Sequence, residues 1–413
     1  MTTFAILGGG ASGLAGAISL GRELEGSRLD HRIVVYEKLS TPAKKILVTG
    51  NGRCNLSNKD VDISRYNGDS ALLSHVLGQF TTEDCIDFFH SLGLLIREEE
   101  GRLYPYSLHA SSVRDVLLAE CQRLSVVIKT DSPLQTLEHK NGRFIINGID
   151  TADYVLFALG GKAAAAQGTD GDGYRILKSL GIRYAPISPA LVQLKTGHPE
   201  DLQVVKRLKG TRARVRISLH AEDGKLAGVE DGEILFTDYG ISGIATMQLS
   251  SDANTMKHPY LTIDFCPELR DVDVLQYLRD CTQIRPDRPA EDLLLGLLHR
   301  KIAREVLKRA KVSPDKTKLK TQDLVSIAEQ VKAFRLDITG NRGFKEAQVT
   351  RGGVPAEELR EHSLESRKVP GLFFSGEILN ADGICGGYNL HFAWGSGILA
   401  GKEMAEACFA STN

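Results

Sequence analysis

Residues 3–7 form an unbroken apolar run, and a second run follows at residues 33–36. Runs without polar alternation predict strands covered on both faces, the pattern of a parallel sheet. Residues 14–24 between them have helical spacing, so the chain opens as strand, turn, helix, strand. Residues 111–124 predict a further helix with Ala110 and Ser111 near its start, and residues 126–129 a strand. Residues 134–138 and 143–146 flank Asn141-Gly142, a hairpin signal. The buried-strand pattern returns at residues 154–159, before Gly160 and Gly161. It returns again in the run that ends at Gly376-Glu377, after which a helix is expected over about 390–405. The middle of the chain is different: strands are expected over 191–194, 215–219, 234–236 and 260–265, and helices over 274–279, 292–307 and 324–334.

Composition narrows the class. With 413 residues, 42% hydrophobic, 25% charged and a formal charge of −1, the chain reads as globular, with two to three domains at about 150 residues each. The balance excludes a general nucleic-acid coat. No run of apolar residues is long enough to span a membrane. The N-terminus lacks the basic region of a signal peptide, and seven scattered Cys show no CxxC, so a cytoplasmic protein without structural metal is expected. The 41 Gly stand out, against a usual ~7%. Glycine at this level marks tight turns or close backbone approach to a ligand.

Gly8, Gly10 and Gly13 follow the first strand as GxGxxG and open the first helix, with Ala11 and Ser12 between them. In the dinucleotide fingerprint the first Gly makes the turn, the second lets a pyrophosphate approach, and the third packs helix on strand. The phosphate then rests on free N–H groups at the helix start. Glu37, beside Lys38 at the end of the second strand, is placed to accept from ribose hydroxyls. The late segment Gly376, Glu377, Asp382, Gly386, Gly387, Tyr388 and Asn389 suits a cofactor held by both ends of the chain. That favours FAD, with the last helix directing its N-terminal dipole at the ring. Lys45, Gly50, Gly52, Arg53, Cys54 and Asn55 cross the same region, where the two cations can offset phosphate or flavin charge. Ala158, Gly160 and Gly161 end the third long strand near the dinucleotide, and the backbone at Leu134 is expected beside adenine. No second strand-GxGxxG-helix unit exists, so NAD(P)H enters only as a dissociable co-substrate.

These segments, together with the stretches 101–105, 171–174, 232–243 and 349–354, resemble the BaiN/YhiN-like flavoproteins over almost the whole chain. That family is labelled NAD(P)/FAD-dependent oxidoreductase or aminoacetone-oxidase-like. The resemblance implies an α/β fold, a two-segment Rossmann-like FAD domain of the glutathione-reductase type, with residues 1–188 and 341–413 forming it. Residues 189–340 would be an insert of β-barrel and small helical subdomain, the latter at about 270–335. The chain departs from the family at residues 163–166, Asp238, Ile244 and Cys385. The expected activity is hydride transfer between flavin and a small organic substrate in a cleft beside the insert. Cys54, Tyr388 and His391 are the candidate catalytic groups, Cys54 as a redox thiol with Cys385 as its partner if the fold joins them. Two alternatives remain: an RNA-modifying flavoprotein using the basic stretch 299–320, and a flavin redox sensor acting through Cys54. The basic stretch and the alternating Arg212, Arg214 and Arg216 are expected to be solvated faces, so nucleic acid is not the expected partner. The oligomeric state is left open.

Overall fold

The apolar runs assemble into one layer. In the computed structural model, which describes residues 1–412, β1 (Thr2–Leu7), β2 (His31–Tyr36), β3 (Val127–Lys129), β4 (Tyr154–Phe157) and β5 (Leu372–Phe374) form a parallel sheet ordered β5-β4-β1-β2-β3. Residues 4–7, 155–157 and 372–374 are buried, as strands covered on both faces must be. Ala5 lies in register between Val34 and Val155. Asn141 and Gly142 both adopt positive φ at the tip of the hairpin Leu137–Lys140 and Arg143–Ile146, the geometry that an Asn-Gly turn favours.

Helix α1 (Ala11–Leu24) runs back to back with the last helix, α2 (Tyr388–Thr412). Their backbones touch because the facing positions carry no side chain. A Cβ at Gly401 would lie 2.5 Å from the Gly16 carbonyl oxygen, and one at Gly16 would lie 3.0 Å from the Gly397 carbonyl oxygen. A Cβ at Gly397 would penetrate the Ser12 carbonyl.

The described residues divide into two units, Met1–Pro189 with the segment from Gln348 onward, and Ala190–Ala347. Each has its own apolar core. In the second unit an antiparallel sheet takes the order Phe334–Asp337, Tyr260–Asp264, Arg212–His220, Leu226–Phe236, Gly240–Ser242, Leu194–Lys195, Gly340–Asn341. Its two edge strands are joined by only two residues, so the sheet curls back on itself. Because Gly340–Asn341 pairs with Leu194–Lys195, the residues just after 340 pack with this unit.

The expected helix over 292–307 is two, Ala290–Leu294 and Arg300–Arg309. Gly296 lies in the break, where a Cβ would stand 2.9 Å from the Tyr277 hydroxyl, and His299 caps the second helix by accepting from the Lys301 N–H. Helices Ser70–Gln79 and Thr82–Ser91 were not expected, although Asp69 and the Thr81/Asp84 capping box start them by the usual chemistry. The Leu226–Phe236 strand is longer than its apolar end at 234–236, since its polar half is held by the ladder to Arg212–His220.

Substituting Gly397→Val forces α1 and α2 apart. The expected loss is at least about 3 kcal/mol of stability, read as a lower urea midpoint with an unchanged slope; an unchanged midpoint would contradict the backbone contact.

Candidate functional site

The carboxyl ends of β1, β4 and β5 bring the glycine segments to one place. Gly8 has φ +109 and sits against the Ala158 carbonyl, and a Cβ at Gly13 would overlap the Gly8 carbonyl. Gly376, with φ +76, lies against Ser12, and its N–H donates to Ser396 Oγ at 2.9 Å. Gly10 is different: a Cβ there meets nothing within 4 Å. It is the N-cap of α1, with no side chain capping the helix. Gly10 therefore faces open space at a helix start whose first N–H groups have no helical acceptor, the arrangement that binds a phosphate.

Glu37 closes the turn by accepting from the Gly9 N–H at 3.0 Å and the Leu39 N–H at 2.8 Å. Each carboxylate oxygen keeps a lone pair for a hydroxyl donor. Lys38 is drawn to Asp170 and Asp172, at 3.2 Å each. Burial lowers its pKa, but hydrogen bonds to those two acids outweigh this and raise it. Leu134 is buried in a loop clipped by Asn147, which accepts from the N–H groups of Gln135 and Thr136 and donates to the Pro133 carbonyl. Asn147 had no signal beyond its place after a hairpin strand.

A second cluster joins four segments. Lys45 Nζ contacts Glu377 Oε2 at 2.7 Å, and Glu377 Oε1 accepts from the Thr350 N–H at 2.9 Å. Thr350 Oγ1 accepts from the N–H groups of Lys162 and Ala163 at 2.7 and 3.0 Å. Gly161 lies so close to Thr350 and Glu377 that it admits no Cβ, and Thr169 donates to its carbonyl. Tyr174 stands nearby, its pKa raised by burial and by the Glu377 charge. Thr350 organises this cluster, and only its place in the 349–354 stretch pointed to it.

The third cluster faces the start of α2. Gly50 and Gly52 have positive φ in the turn before Arg53. Arg53 pairs with Glu99 at 2.8 Å and lies over the Tyr104 ring, 4.3 Å from its centroid, so its charge is already balanced by an acid. Asn55 is buried and its Oδ1 has no hydrogen-bond partner. Gly387 is its neighbour, where a Cβ would come within 2.8 Å of that oxygen. Asp382 accepts from Asn67 at 3.1 Å, and Asn389 exchanges both hydrogen bonds with the Gly383 peptide at 2.8 and 2.7 Å. Tyr388 is buried with its ring edge-on to Tyr66, and burial raises its pKa.

Two candidate catalytic groups lie deep in the core. Cys54 is fully buried at φ +58, and burial pushes its thiol up to about 12. A thiolate is therefore scarce at neutral pH, which removes the basis for a redox thiol there. Burial likewise raises the pKa of the neighbouring Cys85 thiol. His391 is also fully buried, with Nδ1 2.8 Å from Ser57 Oγ and Nε2 3.1 Å from the Phe80 carbonyl. Burial lowers its pKa to about 4, so the ring is neutral at pH 7 and has no imidazolium proton to give.

In the inserted unit, Arg216 pairs with Asp231 at 2.7 Å across the ladder and Arg212 pairs with Glu233, a solvated face as expected. A cavity of about 650 Å³ in the same unit is lined by His198, Arg335 and Asp337 among others. Its charges meet each other, with Arg335 to Asp337 at 2.8 Å and His198 to Asp337 at 3.9 Å. Among the described residues there is no metal-binding cluster and no helix long and apolar enough to cross a membrane.

The neutral His391 yields a pH dependence. Its folded pKa of about 4 lies below the unfolded 6.5, so the unfolded chain takes up the proton first. The contribution is intact above about pH 6.5 and is lost as pH falls towards 4, on the order of 3 kcal/mol in all. Comparing urea unfolding of the parent and His391→Gln from pH 7 to 4 should show this slope in the parent alone; parallel curves would refute it.

The family described as HI0933-like protein Rossmann domain matches residues 2–403. A 3-dehydro-bile acid delta(4,6)-reductase of Clostridium scindens is 36% identical over 98% of this chain and 100% of the relative. A ribosomal RNA dihydrouridine synthase of Escherichia coli is 28% identical over 97% of this chain and 98% of the relative. Among solved structures, the open form of a flavocytochrome c3 fumarate reductase aligns with a TM-score of 0.47 and 13% identity, covering 98% of this chain and 78% of that one. The chain belongs to the HI0933-like Rossmann family of FAD-dependent oxidoreductases.

Proposed function

We propose that this protein is an FAD-dependent reductase of carbon–carbon double bonds conjugated to a carbonyl group, acting on a small organic substrate. The observation that carries the cofactor assignment is Gly10, an open position at an uncapped helix start that is surrounded by glycines packed to contact. The orphaned Asn55 oxygen is a second point of fit. The α1 N-terminus and Gly10 would hold the pyrophosphate, with Ala11, Ser12 and Gly13 supplying the first turn. Glu37 would accept from the ribose, the Leu134 backbone would lie along adenine, and Ala158, Gly160 and Gly161 would line the path between. Glu377, fixed by Lys45 and Thr350, would accept from the ribityl hydroxyls. Asn55, Gly386 and Gly387 would meet the polar edge of the ring, where the α2 dipole favours negative charge. Gly50, Gly52 and Asp382 shape this wall, while Lys38, Arg53 and Asn389 hold its loops in place. FAD, when bound, supplies two-electron hydride chemistry.

The double-bond reading is supported by what the two relatives' names share. A Δ4 bond beside a 3-oxo group and the 5,6 bond of uridine are both conjugated to a carbonyl, and both are reduced in the named products. Tyr388, next to the glycine pair, is the proton donor that this reading favours. NAD(P)H would serve as a dissociable reductant.

A second reading, RNA modification, is favoured by one surface. Lys301, Arg304 and Lys308 are exposed along one face of Arg300–Arg309, whose opposite face is buried, and Lys311 is exposed just beyond its end. No aromatic side chain is interleaved with them for base stacking.

Gly10→Ala should fold normally and weaken FAD binding at least about tenfold, whereas Gly13→Ala should fail to fold; equal behaviour of the two in circular dichroism and flavin titration would defeat the cofactor assignment. Anaerobic mixing of the flavin-loaded protein with NADH or NADPH, then with a Δ4-3-oxosteroid or a uridine-containing RNA, separates the readings. Flavin reoxidation by the steroid alone supports the small-substrate reading. Reoxidation by RNA alone, with salt-sensitive binding, replaces it with the second.

A further inference from the structure

The start of α2 is tied to the strand Ser57–Asn58, which itself pairs with Leu103 and Arg102. Asn58 Nδ2 donates to the Gly386 carbonyl at 3.0 Å, and Trp394 Nε1 donates to the Leu56 carbonyl at 3.1 Å. Between these ties, Gly387 is pressed on the strand, where a Cβ would lie 2.5 Å from the Ser57 carbonyl oxygen. His391 sits one turn into α2, its own N–H bonded to the Gly387 carbonyl at 2.9 Å.

The neutral imidazole has one protonation pattern that fits both bonds. The Phe80 carbonyl can only accept, so Nε2 carries the proton, and Nδ1 must accept from the Ser57 hydroxyl. Ser57 and His391 are both fully buried, so water cannot replace either bond when it is lost. The Phe80 ring stacks obliquely on the imidazole, 5.1 Å between centroids. Gly395, one turn further along α2, also lies on this ring, where a Cβ would come within 2.8 Å.

We propose that His391 is a positioning residue for the flavin. Its Nε2–H tautomer, clamped between Ser57 and Phe80, sets the spacing between Asn55 and the Gly386–Gly387 end of α2. This rests on the proposed function, which assigns that spacing to the polar edge of the ring. The clamp acts through backbone position, because neither ring nitrogen is free to touch a ligand. Removing it should let the helix start drift, which weakens the dipole and the N–H groups facing the ring.

The test compares His391→Gln, His391→Leu and Ser57→Ala in the full-length protein. Gln keeps one acceptor and one donor, Leu keeps the volume alone, and Ser57→Ala removes a single hydroxyl. The FAD dissociation constant and the flavin midpoint potential are measured for each. Leu and Ser57→Ala should weaken FAD binding by about tenfold, the scale of one buried hydrogen bond, and shift the potential to more negative values. Gln should stay within about threefold of the parent. Unchanged affinity and potential in both Leu and Ser57→Ala would overturn the proposal. If circular dichroism shows that the Leu variant does not fold, Ser57→Ala alone decides. Nitrogen-15 spectra of the cofactor-free parent give an independent reading, with the His391 signal assigned by its loss in the Gln variant. An Nε2–H tautomer at pH 7 is expected, and an Nδ1–H tautomer overturns the clamp. A parent protein that binds no FAD would refute the proposed function instead, while the spectra would still decide the clamp.

Discussion

The contact between α1 and α2 is the constraint on which the first unit depends. These helices come from opposite ends of the chain, and only the absence of side chains at Gly16, Gly397 and Gly401 lets them meet. Their approach fixes Ser12 against Gly376, which places the GxGxxG turn beside the end of β5. It also orients the two helix N-termini that the cofactor reading uses. A sheet of five parallel strands would form without this contact, but its two glycine-lined ends would not be held in register.

Much of this was legible in the sequence. The unbroken apolar runs named the strands of the parallel sheet, because a strand covered on both faces has no polar positions to hide its pattern. The spacing of Gly8, Gly10 and Gly13 named the turn. The surplus of glycine had a second cause that no local pattern shows: Gly16, Gly397 and Gly401 serve helix-on-helix contact, and their partners lie hundreds of positions away. Thr350 and Ser57 were missed for the same reason, since Thr350 accepts from backbone groups and Ser57 bonds a histidine ring far away in the chain, and Asn147 acts on a loop eleven or more positions before it. The burial of His391 was not legible, because a histidine in a sequence carries no sign of its surroundings. The polar half of Leu226–Phe236 was invisible because a ladder to a neighbour, rather than its own residues, makes it a strand.

The electrostatics of the site follow one pattern. The cations that looked available for phosphate are paired: Lys38 with Asp170 and Asp172, Lys45 with Glu377, Arg53 with Glu99. In the proposed reading, anion binding at α1 therefore falls to backbone N–H groups and the helix dipole, which need no side-chain ordering when a ligand arrives. The paired side chains set the shape of the loops, and the neutral His391 and the protonated Cys54 add no charge near the start of α2. Such an arrangement offers fixed dipoles rather than mobile charges, which is the condition for electrostatic preorganisation.

The position of β5 has a consequence for biosynthesis. The edge of β4 pairs with a strand that begins at Leu372, so during translation β4 waits about 215 residues for its neighbour. At the usual elongation rates this is about 10–40 s. During that interval an apolar strand edge stands open to pairing with other nascent chains. The intervening residues 190–347 carry a core of their own and can fold while the first unit is incomplete. The unit that carries the glycine segments is thus completed only after the intervening unit, when Leu372–Phe374 and α2 have been made.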